Sequence, residues 1–73
     1  MELVGHVIRT QEADDGRLQV EFRCTNKEEF YFYAPLAIKP PEGELIRCFT
    51  HRHQPEDGSM SKDYVLEHWE KLS

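Results

Sequence analysis

The chain contains no run of about 18 apolar residues, so nothing in it has the length of a membrane-spanning helix. It has only two cysteines, Cys24 and Cys48, and no Cys-x-x-Cys pair. That shortage rules out a disulfide framework and the usual structural zinc spacings. The only serines are Ser59, Ser61 and Ser73, and none stands in a nucleophile-elbow context. Cations are scarce: nine Lys plus Arg stand against fourteen Asp plus Glu, a formal charge of −5. Nucleic-acid affinity comes largely from neutralised phosphates, so an acidic domain is a poor candidate unless its basic residues collect on one face. The opening Met-Glu-Leu-Val-Gly-His lacks the basic and apolar segments of a secretory signal. The expectation is a cytoplasmic chain with reduced thiols.

What remains is a chain of 73 residues, 38% hydrophobic and 32% charged, the size of one small domain with a thin core. Turn chemistry recurs at Asp14-Asp15-Gly16, Thr25-Asn26-Lys27, Pro40-Pro41-Glu42-Gly43 and Glu56-Asp57-Gly58. Between the turns lie segments of strand length. Leu3–Thr10 is the first, with Leu3 and Val7 facing one way and Val4 and Ile8 the other. Arg17–Cys24 alternates without a fault: Leu18, Val20, Phe22 and Cys24 on one face, Arg17, Gln19, Glu21 and Arg23 on the other.

Residues 30–33 read Phe-Tyr-Phe-Tyr, half of the eight aromatics in the chain. On a strand over Glu29–Ala34 the phenylalanines share one face and the tyrosines the other. A tight connection pairs this strand with the preceding one as a hairpin, setting Phe22 opposite Phe30 or Phe32. The tyrosines then join the face of Arg23, Glu21 and Gln19. Pro35 ends the strand, one turn of helix fits Leu36–Lys39, and a fourth strand runs from Glu44 to about Arg52.

The C-terminus reads as a helix over Lys62–Leu72 capped by Ser61, with Val65, Trp69 and Leu72 on one face. Its alternative is a fifth strand, Tyr64–Trp69, paired with the fourth. The fold class expected is therefore mainly β (α+β), an antiparallel meander or partly open barrel of four strands with a C-terminal helix. A five-stranded OB- or SH3-like barrel is the alternative.

Cys48, His51 and His53 lie close in sequence, but strand alternation puts Cys48 on the face opposite the histidines. No cofactor or metal is assigned to them, and no two carboxylates are set for acid–base work. The chain reads as a non-enzyme. The candidate partner-binding residues are Tyr31, Tyr33, Arg17 and Arg23, with Arg9 joining from the first strand, because tyrosine and arginine are enriched where proteins bind. A helix packed over this face would bury it.

Two function classes follow. The first is a small acidic regulator or adaptor that binds another protein, one with a basic surface suiting the net charge. Its analogy of size and charge is to phage- or plasmid-type proteins that grip RNA polymerase. The second is a single-stranded nucleic-acid module. Here Phe30 to Glu56, with its aromatic strand ending in Pro35, its Pro41-Glu42-Gly43-Glu44 turn and Phe49-Thr50-His51, resembles the N-terminal OB domain of RuvA-type Holliday-junction proteins over about a third of the chain. That resemblance implies bases stacked on exposed rings beside arginines.

Overall fold

The computed structural model describes residues 1–13, 16–53 and 63–72. Five strands form: β1 (Glu2–Glu12), β2 (Arg17–Cys24), β3 (Glu29–Pro35), β4 (Ile46–Arg52) and β5 (Tyr64–Lys71), with one 3₁₀ turn at Leu36–Ile38. They close into a barrel in the order β1-β2-β3-β5-β4. Every contact is antiparallel except that between β3 and β5, which is parallel and centred on Tyr33 and Val65. Among the described residues no helix is long and apolar enough to cross a membrane.

The β2–β3 hairpin follows the alternation of its sequence. Seven residue pairs run from Arg17–Pro35 to Arg23–Glu29, with Phe22 opposite Phe30 and Val20 opposite Phe32. Leu18, Val20, Phe22, Phe32 and Ala34 all point inward and are buried. The rings of Phe22 and Phe32 meet at 5.8 Å between centroids and 49° between planes. Such a tilted pair contributes about 1 kcal/mol beyond its buried area. The connecting turn has no glycine; Lys27 takes the left-handed conformation with φ 74°.

β1 serves two neighbours. Its first residues pair with β4 and the rest with β2, and Gly5 belongs to both ladders, opposite Ile46 and Cys24. A Cβ at this corner would lie 2.0 Å from the Arg23 carbonyl oxygen. Only glycine lets the strands approach this closely.

The predicted C-terminal helix over Lys62–Leu72 is corrected. Tyr64–Lys71 is a strand that pairs antiparallel with β4 and closes the barrel, while the expected cap, Ser61, lies outside the described residues. The reason is a β-bulge. The register shifts between Phe49 and Thr50, so that Thr50 faces Leu66 while Phe49 faces His68. Glu67 is the extra residue. Leu66 and Trp69, three apart, therefore both turn toward the core. That spacing copies one face of a helix. With the helix goes the expected four-stranded open arrangement; the five-stranded barrel holds.

Candidate functional site

β1, β2 and β3 present an outer face arranged in cross-strand rows. His6, Arg23 and Glu29 form one row, and Arg9, Glu21 and Tyr31 the next. Gln11, Gln19 and Tyr33 follow, then Arg17 beside Pro35. All five candidate binding residues thus share one surface. No described residue of the C-terminal strand lies across it: β5 meets β3 edge to edge at Val65, and Val65 in turn pairs with His51.

Arg9 is on this face for a reason the alternation of β1 opposes. Leu3, Gly5 and Val7 point inward, so strict alternation would send Arg9 inward too. A register shift between Val7 and Arg9 inserts Ile8 as an extra residue, and Arg9 emerges opposite Glu21. The bulge is held from a distance. Val7 bridges to Glu42, its carbonyl accepts the Gly43 N–H at 3.1 Å, and Glu42 Oε1 accepts the Thr10 N–H at 3.2 Å. Backbone groups displaced from a ladder need such partners.

Glu21 is the acceptor around which the central row is built. The Tyr31 hydroxyl donates to its Oε1 at 2.9 Å, and Arg9 Nη2 stands 3.8 Å from the same oxygen. The glutamate side chain is 16% exposed and that of Arg9 is 71% exposed. Tyr31 itself is 58% exposed. The Glu21 hydrogen bond, and then its negative charge, hold the Tyr31 phenol above its ordinary pKa. Nearby, the Arg17 guanidinium lies over the Tyr33 ring, 4.3 Å from its centroid, and Arg23 Nη2 pairs with Glu29 Oε1 at 2.7 Å. Between Arg9, Gln11, Gln19, Glu21 and Tyr31 is a hollow of about 60 Å³.

The cysteine–histidine group separates as strand geometry requires. Cys48 is fully buried in the core and burial pushes its thiol up to about 12. His51 is exposed on the outer surface, with Nδ1 3.1 Å from Glu67. Among the described residues no three His, Cys, Asp or Glu side chains converge as ligands for a metal ion.

Glu21, Gln19 and Gln11 complete the face beside the five candidate residues. The alternation of β2 already carries the first two. Nothing local signals Gln11, because its place depends on the bulge. Comparisons with protein-family models, curated proteins and solved structures produce no match for this chain.

Proposed function

We propose that this chain is a non-enzymatic binding domain that docks onto another protein through the outer face of β1, β2 and β3. One observation carries the reading: Tyr31 is 58% exposed at the end of the row Arg9–Glu21–Tyr31, with Arg23 in the adjacent row. Aromatic and arginine side chains of this kind supply the few contacts that dominate protein interfaces. The carboxylates of Glu21 and Glu29 sit among the arginines, so the face carries both signs of charge. The regulator or adaptor role, by analogy of size and charge with proteins that grip RNA polymerase, is part of the same proposal.

A second reading has its own support in the strand order. Five strands closed as 1-2-3-5-4 with a parallel β3–β5 contact match the plan of OB barrels. These hold single strands across strands 2 and 3, the strands that carry Tyr31, Tyr33, Arg17 and Arg23.

One comparison separates the two. Affinity capture from a lysate, quantified by mass spectrometry, is run with wild type and with Tyr31→Ala/Tyr33→Ala, beside anisotropy with a labelled 12-nucleotide single strand. The protein-binding reading expects one dominant partner, lost with the double variant, and no oligonucleotide binding. Equal recovery by the variant overturns the face as the site. Oligonucleotide affinity that falls steeply with salt and vanishes in the variant establishes the second reading instead.

A further inference from the structure

The net charge of −5 does not describe the face. Of nine Lys plus Arg and fourteen Asp plus Glu, three arginines and two glutamates occupy the rows from Arg23–Glu29 to Arg17–Pro35. The remainder of the chain therefore carries six against twelve. The rows thus hold one arginine more than glutamates, and the hollow lies among them. Resting on the protein-binding reading above, we propose that this hollow receives a side-chain carboxylate, so that the partner contributes an acidic and not a basic segment.

The polar groups around the hollow favour donation. The Arg9 side chain is largely exposed, and its contact with Glu21 is long, at 3.8 Å. The Gln11 and Gln19 residues pair across the strands with both side chains at the surface. Glu21 is the one anion present, and the oxygen nearest Arg9 already accepts from Tyr31. An incoming carboxylate finds a guanidinium able to bind it in bidentate fashion, two carboxamide donors and an aromatic wall. The volume, about 60 Å³, is that of about two waters at roughly 30 Å³ each. It suits a carboxylate head.

Charge elsewhere decides between an acidic peptide and a nucleic acid. A nucleic-acid strand brings a phosphate at every step, against a chain whose formal charge is −5. An isolated Asp or Glu set among apolar residues brings one charge, to a hollow whose guanidinium is largely exposed.

The test is selection of a random peptide display library on the immobilised protein, with the winners remeasured by anisotropy as labelled peptides. The expected winners contain an Asp or Glu beside apolar residues. Their affinity falls at least tenfold in Arg9→Gln and in the Asp→Asn or Glu→Gln form of the peptide, with circular dichroism showing Arg9→Gln folded. Winners that require Tyr31 but tolerate Arg9→Gln and loss of their acidic residue overturn the carboxylate inference and leave the protein-binding reading standing. Failure to select any peptide that requires Tyr31, together with oligonucleotide binding on the same face, overturns both.

Discussion

Arg9 lies opposite Glu21, and not opposite the buried Val20, because β1 carries Ile8 as an extra residue. One inserted position turns an inward-facing site into an outward-facing cation and completes the row that ends at Tyr31. The bulge is in turn fastened by Glu42 and Gly43 on the segment before β4.

Glu42→Ala therefore loosens the bulge without touching the candidate face. Losing an exposed side-chain-to-backbone hydrogen bond costs about 1 kcal/mol. The larger expected effect is on Arg9, whose resonances in a two-dimensional NMR spectrum should shift together with those of Val7 and Thr10. Unchanged Arg9 signals would separate its position from the Glu42 contact.

Adjacent residues of β3 should respond in opposite ways to truncation. Phe32 is 2% exposed and in ring contact with Phe22, so Phe32→Ala should cost about 3–5 kcal/mol. Tyr31 projects outward, and Tyr31→Ala should cost well under about 1 kcal/mol while abolishing partner binding. Urea denaturation of the two variants checks the contrast.

Gly5→Ala tests the barrel corner. The added methyl would meet the Arg23 carbonyl oxygen and the Cys24 Cα, at 2.0 and 2.7 Å, and those are backbone atoms that cannot turn aside. Overpacking of this kind should cost about 3 kcal/mol. A variant with wild-type stability would mean that β1 does not pass so close to β2.

The Tyr31–Glu21 hydrogen bond has a spectroscopic signature. Glu21 raises the Tyr31 pKa, by hydrogen bond first and by charge second. Glu21→Gln removes the negative charge and should move the phenol titration to lower pH, read by ultraviolet absorbance against wild type. A titration that does not move would place the Tyr31 hydroxyl elsewhere.

Alkaline pH should destabilise the fold through Cys48. Its thiol has an ordinary pKa of 9.0 and is raised to about 12 by burial, with Cys24 adding to the rise. Above pH 9 the unfolded chain releases this proton while the folded chain keeps it, so stability falls progressively until pH reaches about 12. Cys48→Ala should flatten this part of the stability profile, and thiol labelling of the native protein should reach Cys24 before Cys48.

The β2–β3 hairpin was legible because its alternation is unbroken from Leu18 to Cys24 and the pair shares one register. Phe22, Phe32 and the outward tyrosines follow from that alone. β5 was legible only as the alternative to a helix, since the extra Glu67 brings Leu66 and Trp69 to the same side at a spacing that local sequence assigns to a helix. Arg9 joins this face by its residue type alone, because strict alternation of β1 opposes that placement.

The sequence by itself determined that the chain is built from short strands, which aromatics enter the core and which line the outer side of the hairpin. Those are consequences of side-chain period, a local property. Tertiary structure decided the rest: closure through β3 and β5, the corner at Gly5, and the two bulges that aim Arg9 outward and Trp69 inward. A bulge inserts a single residue and is held by groups far away in sequence, here Glu42 acting on Thr10 across 32 positions. No period within β1 can encode a partner that only the folded chain brings alongside.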